Sequence, residues 1–517
     1  MYNSKDKKKR KYFLIALLLT ACAFLLRYLF QSKYLGEWDC VDFALGLRDY
    51  NLAKFQPHPP GYPLYMFFAK LLFFLVKNEV SALTLTSAIF GGLTVLPFYY
   101  LALSMYGLNT AVLASVLLLI NPLHWLMSTK AFSEGMAVFF IVWSGFFLYR
   151  GAVIENIRAK LRFLIAASFT LGISLGVRLA YFPFLFLWGW TISVCRRQQE
   201  APGDKNKLLV YPFLVLGGTI FIWAAAQASM TGLSTFAGEG INFLRGHFQD
   251  WGGTVLTRPH FIQRLKELFI QDIFIHGLGA GNGFLRLLLT FFIGISLIFY
   301  YKAKGRSNGL AAAGFDFRAK FLLYWLLPYL AWVLLAQNLN NPRHVLAAIP
   351  VLLIMISRGF FSFAETTLNF SGKIMRIDWA LSFIFPAALF FLSFNLVFTQ
   401  YREKPAALLL VEYVKKEFTP YDTVIFGNEA KRLFDFYGPE YITVSDGRLD
   451  VEEAVAYYFY GNPKVILVTS EMMALWQRKG RTLNTAQQLK LLKEFAHNSY
   501  VQNSNPVVSL YRLEKAL

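Results

Sequence analysis

Residues 5–30 read KDKKKRKYFLIALLLTACAFLLRYLF. Six basic side chains in residues 5–11 precede a largely apolar run over residues 12–30. A helix rises about 1.5 Å per residue, so this run is long enough to cross a bilayer core of about 30 Å. The run is too long for a cleavable signal and has no small-residue cleavage site, so we predict a retained membrane span. The basic flank predicts that the N-terminus is cytoplasmic.

The composition of the whole chain agrees with a membrane protein. Of the 517 residues, 56% are hydrophobic and 16% are charged, and the mean hydropathy is +0.43. Soluble domains carry about 25% charged residues. The net charge of +20 does not indicate nucleic-acid binding, because the basic residues concentrate between apolar segments, as positive cytoplasmic loops do. The three cysteines, Cys22, Cys40 and Cys195, lack metal-site spacing, and the predicted topology separates them, which argues against a disulfide framework.

Apolar runs along the first 400 residues predict a bundle of about eleven transmembrane helices. They cover residues 12–30, 80–105, 108–127, 133–149, 163–177, 179–194, 208–228, 282–301, 321–336, 345–361 and 379–398. With alternating sides, the four longer predicted cytoplasmic loops are all basic, which supports the count. The basic residues of these loops are Arg150, Arg158, Lys160, Arg162, Arg196, Arg197, Lys205, Lys207, Lys302, Lys304, Arg306, Arg318, Lys320, Arg358, Lys373 and Arg376.

Three long segments are then predicted outside: residues 31–78, residues 229–281 and the tail from residue 401. Within the second, apolar residues at near-helical spacing over residues 261–274 predict an amphipathic helix on the outer surface. In the tail, residues 423–426 and 465–468 predict short strands, and residues 429–437 and 449–458 predict helices. We therefore predict a transmembrane domain over residues 1–400 and a small extracytoplasmic α/β domain over residues 401–517.

The first outer loop contains an acidic cluster directly after a predicted span. Glu37, Asp39 and Asp42 form this cluster, and His58 follows in the stretch His-Pro-Pro-Gly-Tyr-Pro. Carboxylates in such a loop can serve as a general base or bind a divalent cation. The proline pair predicts a rigid turn that fixes the His58 side chain. The alternative is that these are solvated loop charges beside prolines that only shape the loop.

Three further charged positions fall on the same predicted side. Glu134 lies in a short loop at the mouth of the bundle, where the alternative is a solvated or helix-capping carboxylate. Arg343, followed by His344, suits a phosphate because a guanidinium is permanently charged and binds two oxygens at once; the alternative is anchoring to lipid headgroups. Arg178 lies between two short spans, where a charge indicates function or reaches toward headgroups.

These features together resemble the GT-C superfamily of polyprenyl-phosphate-sugar-dependent glycosyltransferases, and most of all the protein O-mannosyltransferase and aminoarabinose-transferase branch. The resemblance covers about residues 12–400 and rests on the order of four motifs rather than on one. The motifs are Glu37-Trp-Asp39, His58-Pro-Pro-Gly-Tyr-Pro63, Ser133-Glu134 and Pro342-Arg343-His344 running into Ala-Ala-Ile-Pro350. The family has adjacent Asp-Glu in its first loop, whereas Cys40 follows Asp39 here, so the base is left between Asp39 and Asp42.

The resemblance implies an enzyme that moves a sugar from a polyprenyl-phosphate donor in the bilayer to an acceptor hydroxyl, with inversion. The acceptor is a glycan, a lipid or a protein, and nucleic acid is not a partner. The implied catalytic residues are Asp39, Asp42 and Glu134; the implied donor-phosphate residues are Arg343, His344 and Arg178. Glu37 and His58 are implied to position the substrate or a divalent cation, Mg²⁺ or Mn²⁺, and no other cofactor is expected.

Two other functions compete with this one. A transporter or flippase of a lipid-linked sugar would place ionisable residues at mid-membrane and show repeated halves, but the polar residues fall at the predicted outer ends and no internal repeat is found. A scaffold protein that binds through its tail would not need the acidic cluster.

Overall fold

The structure is a computed structural model that describes residues 2–304, 317–368, 375–445, 465–478, 487–502 and 505–515. The chain forms two compact units. We call Met1–Gln31 with Pro59–Phe398 the membrane unit, and Ser32–His58 with Thr399–Leu517 the α/β unit. The α/β unit therefore combines the tail with residues 32–58, which the sequence assigned to the first outer loop of the transmembrane domain.

Helices dominate the described chain. In chain order they are α1 (Tyr2–Leu29), α2 (Trp38–Arg48), α3 (Pro63–Val76), α4 (Glu79–Leu93), α5 (Val95–Tyr106), α6 (Leu108–Leu119), α7 (Pro122–Met127), α8 (Glu134–Val153), α9 (Ile157–Val177), α10 (Phe184–Arg197), α11 (Pro202–Thr231), α12 (Leu233–Gly246), α13 (Phe261–Lys266), α14 (Phe284–Lys304), α15 (Phe317–Ala336), α16 (Ile349–Leu368), α17 (Met375–Arg402), α18 (Ala406–Glu417), α19 (Glu429–Tyr437) and α20 (Ser470–Arg478). Short 3-10 turns cover Leu52–Lys54, Leu179–Tyr181 and Pro342–Ala348, and π-helical turns cover His247–Trp251 and Glu267–Gly277.

Ten helical segments of the described residues are long and apolar enough to cross a membrane. The predicted span over residues 108–127 is instead two shorter helices, α6 and α7. The break lies at Asn121, because Pro122 disfavours helical geometry at the residue before it. Asn121 begins α7 as its N-cap, and its side chain accepts a hydrogen bond from the main-chain nitrogen of His124 at 2.9 Å.

One element of the predicted outer segments differs from the sequence-based expectation, and a second is present as expected. Helix α3 is a 14-residue apolar helix in a stretch that the sequence assigned to a loop. The predicted amphipathic helix is present as α13, which continues into the π-helical turn Glu267–Gly277. Its Arg264 is buried and donates to the main-chain oxygens of Gly253, Leu334 and Gln337, so it caps the end of α15 rather than facing solvent.

Helices α8 and α9 run antiparallel and fix the geometry of the candidate site. Their contact is close because small hydroxyl side chains bind main-chain oxygens across it. Ser144 Oγ donates to Ala167 O at 3.0 Å, and Ser174 Oγ donates to Ala137 O at 3.1 Å. The first turn of α8 therefore lies beside the last turn of α9, which brings Glu134 next to Arg178.

The α/β unit contains a five-stranded sheet in the order β2-β1-β3-β5-β4. The strands are β1 (Thr423–Phe426), β2 (Ile442–Val444), β3 (Val465–Thr469), β4 (Gln487–Ala496) and β5 (Val507–Lys515). β1 pairs in parallel with β2 and β3, whereas β5 is antiparallel to β3 and β4. The two predicted strands and the predicted helix over residues 429–437 are confirmed. The predicted helix over residues 449–458 lies outside the described residues.

Candidate active site

Glu134 is buried at the start of α8. Glu134 is 0% exposed, so its carboxylate is not a solvated loop charge. Ser133 occupies the N-cap position, and no side-chain cap bond forms there. A carboxylate in the first turn is favoured by the helix dipole, but burial of this charge also needs a cation nearby.

Two arginines supply that positive charge. Arg178 Nη1 lies 3.2 Å from Glu134 Oε1, and Arg343 Nε lies 3.5 Å from the same oxygen. Arg178 comes from the C-cap of α9, and Arg343 comes from the 3-10 turn Pro342–Ala348 that leads into α16. Two guanidinium ions therefore lie against one carboxylate oxygen.

His344 and two aromatic residues also lie close to the two arginines. Arg178 Nη2 lies 3.4 Å from His344 Nδ1. The hydroxyl of Tyr329 donates to the main-chain oxygen of His344 at 2.5 Å, which fixes the turn. The Arg343 guanidinium lies 4.4 Å from the centre of the Phe132 ring, a cation–π contact. The Glu134 group, as we call Glu134, Arg178, Arg343 and His344, thus brings together all four residues that the sequence predicted on these segments.

The α/β unit holds the acidic residues of the first loop. Glu37 is the N-cap residue of α2, and Asp39 lies in its first turn. Both are partly exposed. Asp42 follows three residues after Asp39, and residues at this spacing lie on the same face of a helix.

Asp42 is fully buried and bonded through both carboxylate oxygens. Oδ2 lies 3.0 Å from His58 Nδ1, and Oδ1 accepts from Arg432 Nε at 2.5 Å. Burial raises the pKa of Asp42, and the neighbouring His58 and Arg432 act against this shift. The predicted residues Asp42 and His58 are therefore brought together. We call Asp42, His58 and Arg432 the Asp42 group.

Arg432 is a residue that the sequence did not single out. It lies on α19, 390 positions from Asp42. A basic side chain on a predicted helix is usually solvated, and nothing in the local pattern shows which one is buried. Its partner could be found only from the fold.

A second set of carboxylates lies near the start of α2. The burial of Glu429 and the nearby Glu471 carboxylate raise the pKa of Glu429 to about 8, and Glu37 and Asp39 add to this rise. Within the described residues, however, no group of three His, Cys, Asp or Glu side chains is arranged to hold a metal ion. The divalent cation, Mg²⁺ or Mn²⁺, therefore stays a prediction, and we derive no step through a metal.

Comparison with known proteins identifies the architecture. Residues 63–231 match the family of dolichyl-phosphate-mannose-protein mannosyltransferases (PMT). The structure also aligns with ArnT from Cupriavidus metallidurans bound to undecaprenyl phosphate, with a TM-score of 0.58 and 12% identity, over 96% of this chain and 97% of that chain. The chain has the GT-C glycosyltransferase fold. Apo ArnT gives the same TM-score and coverage at 13% identity.

A second GT-C protein is also similar. The Archaeoglobus fulgidus oligosaccharyltransferase in complex with Zn and sulfate aligns with a TM-score of 0.50 and 14% identity, over 89% of this chain and 69% of that chain. Curated protein sequences gave no match. The resemblance to the GT-C superfamily is thus confirmed, and the chain is a multi-pass membrane protein with this fold.

Proposed function

We propose that this GT-C protein transfers a sugar from a polyprenyl-phosphate donor to an acceptor hydroxyl at the outer face of the membrane, with inversion at the anomeric carbon. The C-terminal domain is then extracytoplasmic and the N-terminus is cytoplasmic. The observation that carries the proposal is the buried Glu134 group, in which two arginines share one carboxylate.

The charge of this group suits the donor phosphate. A sugar linked through a phosphodiester carries one negative charge, which guanidinium ions can bind. When the bond between the anomeric carbon and the phosphate oxygen breaks, the departing phosphate gains negative charge. Arg178 and Arg343 can stabilise that charge through short, charge-assisted hydrogen bonds. His344 can add a further hydrogen bond, and Glu134 holds the two guanidinium ions in place.

The ArnT structure bound to undecaprenyl phosphate supports a polyprenyl phosphate as the lipid. The PMT match over residues 63–231 supports transfer of a sugar. These similarities leave the sugar and the acceptor open, and a glycan, a lipid or a protein would each present the required hydroxyl.

Asp39 is the better candidate for the base. Asp42 already uses both oxygens to bind His58 and Arg432, so it has less capacity to take a proton from a substrate. Asp39 is partly exposed at the start of a helix. In the proposed reaction Asp39 accepts the proton of the acceptor hydroxyl as that oxygen attacks the anomeric carbon. Glu37 lies close to Asp39 in the chain. His58 influences the reaction through its hydrogen bond to Asp42.

The test is direct. The purified protein in lipid nanodiscs is incubated with a panel of polyprenyl-phosphate sugars and candidate acceptors, and released polyprenyl phosphate is measured by mass spectrometry. We expect release from at least one donor that depends on an added acceptor. If no donor of the panel is bound or consumed by the folded protein, the proposal is wrong.

A further inference from the structure

We propose that Arg432 of the C-terminal domain is a positioning residue that sets the orientation of α2 and of Asp39 through its ion pair with Asp42. The proposal rests on the proposed function for the role of Asp39. The C-terminal domain then takes part in the reaction, which the transmembrane segments alone would not indicate.

All three nitrogens of the Arg432 guanidinium group have hydrogen-bonding partners. Nε donates to Asp42 Oδ1 at 2.5 Å, and Nη1 lies 3.2 Å from Asp435 Oδ2. Nη2 donates to the main-chain oxygens of Lys54 and Phe55 at 3.0 Å and 2.6 Å. One side chain of α19 thus binds both the helix that carries Asp39 and the loop that follows this helix. Arg432 is 7% exposed, so these bonds are little screened by solvent.

The other end of the first-loop segment is fixed to the same helix. The hydroxyl of Tyr437 accepts a hydrogen bond from the main-chain nitrogen of Leu35 at 2.9 Å. The guanidinium of Arg48 lies 4.5 Å from the centre of the Phe436 ring. Helix α19 therefore contacts the segment before α2, the end of α2 and, through Arg432, its middle.

The ion pair acts on Asp39 through helix geometry. Asp39 and Asp42 lie three residues apart and share one face of α2. If Arg432 no longer binds Asp42, the rotation of α2 about its axis is less restricted, and the Asp39 carboxylate moves with it. A displacement of about 1 Å at a reacting group can cost about 100-fold in rate. The donor phosphate is assigned to the Glu134 group, so its binding should change little.

The experiment compares Arg432→Gln and Arg432→Lys with Lys431→Gln. Lys431 is the matched control, because it lies on the same helix and also pairs with Asp435, at 3.0 Å. We expect kcat of both Arg432 variants to fall by about 10- to 100-fold while KM for the donor stays within about twofold of wild type. Lysine keeps the charge but cannot form the same fork, so it should not restore kcat. The control should retain wild-type kcat.

A second measurement does not depend on the reaction. Hydrogen exchange of the amides of residues 38–48 should be faster in Arg432→Gln than in the wild type or the control. If this exchange is unchanged, or if kcat of folded Arg432→Gln equals that of Lys431→Gln, the proposal is wrong. Misfolding of both Arg432 variants would make Arg432 a structural residue and would equally overturn it. Absence of transfer by the wild type, with faster exchange in Arg432→Gln, would instead count against the proposed function.

Discussion

Two buried carboxylates in this protein are surrounded in opposite ways. Asp42 of the α/β unit has each oxygen bonded, to His58 and to Arg432, and Arg432 has further partners in Asp435 and two main-chain oxygens. Glu134 of the membrane unit lies between Arg178 and Arg343, so two guanidinium ions face the same carboxylate.

A buried charged group can have two different roles, which are to position segments of the chain or to bind a charged ligand. A closed set of hydrogen bonds such as the Asp42 group restricts the position of the segments that it joins. A buried group that holds two guanidinium ions can bind a further anion through charge-assisted hydrogen bonds. We therefore propose positioning for the Asp42 group and donor binding for the Glu134 group.

Substitution of the proposed base should have the largest effect. Asp39→Asn removes the proton acceptor and leaves the Asp42 group intact, so kcat should fall by about 100- to 10,000-fold without loss of expression or thermal stability. Rates of acceptor-dependent polyprenyl-phosphate release measure this. Asp42→Asn should lower the unfolding temperature as well as kcat, since it disrupts the hydrogen bonds of the Asp42 group. Normal turnover by Asp39→Asn would remove Asp39 as the base.

Glu134→Gln removes the carboxylate of the other group. The negative charge between Arg178 and Arg343 is lost, so the product polyprenyl phosphate should inhibit more strongly, and kcat should fall by about 10- to 100-fold, the equivalent of about 1.5–3 kcal/mol for a bond to a charged group. Product-inhibition constants and initial rates are the measurements. Glu155→Gln, at an exposed position after the same helix, is the control. Weaker product inhibition in Glu134→Gln would argue against phosphate binding here.

Gly36→Ala tests how tightly the first-loop segment packs within the α/β unit. A Cβ at Gly36 would lie 2.5 Å from Pro405 Cγ, so the segment must shift, at a cost of about 1–3 kcal/mol. We expect a lower unfolding temperature and faster exchange of amides in residues 32–58. Gly217→Ala, where a Cβ would meet no atom within 4 Å beyond its chain neighbours and its own helix backbone, should show neither change. Equal stability of the two variants would contradict the close packing.

The smallest predicted effect is the pH dependence that Glu429 gives to the α/β unit. Its pKa in the folded protein is raised to about 8, so the folded state binds a proton that the unfolded state releases near its ordinary pKa. Stability should therefore decrease as the pH rises through this interval. Glu429→Gln should raise the unfolding temperature at pH 8 and have little effect near pH 4.5. Glu440→Gln is the control. Hydrogen bonds from the Glu440 main-chain nitrogen and from Lys415 lower the pKa of Glu440, so this pKa is shifted in the opposite direction from that of Glu429. A lower unfolding temperature of Glu429→Gln at pH 8 would contradict the raised pKa of Glu429.

Much of the fold could be predicted because its signals are local. Long apolar runs identified the membrane spans, and short β-prone runs such as Thr423–Phe426 identified strands. The error over residues 108–127 had a local cause as well, because Asn121-Pro122 ends one helix and begins another. The association of residues 32–58 with the tail depends on contacts between distant segments, which a single sequence does not show.

The same distinction applies to the candidate residues. Glu134, Arg178 and Arg343 could be proposed because each lies at the end of a predicted span, on the same predicted outer side. Arg432 could not, because it is one of several charged residues on an amphipathic helix, and only its partner Asp42 distinguishes it.

The most direct test of the account is the affinity of the membrane unit's arginines for the donor phosphate. Binding of polyprenyl phosphate and of the uncharged polyprenol is measured for the wild type, Arg343→Ala and the control Arg158→Ala in nanodiscs. We predict that the wild type and the control prefer the phosphate, and that Arg343→Ala loses about 10- to 100-fold in affinity for it, the equivalent of one charge-assisted bond. Equal affinity of Arg343→Ala and wild type for polyprenyl phosphate would contradict the assignment of the Glu134 group to the donor.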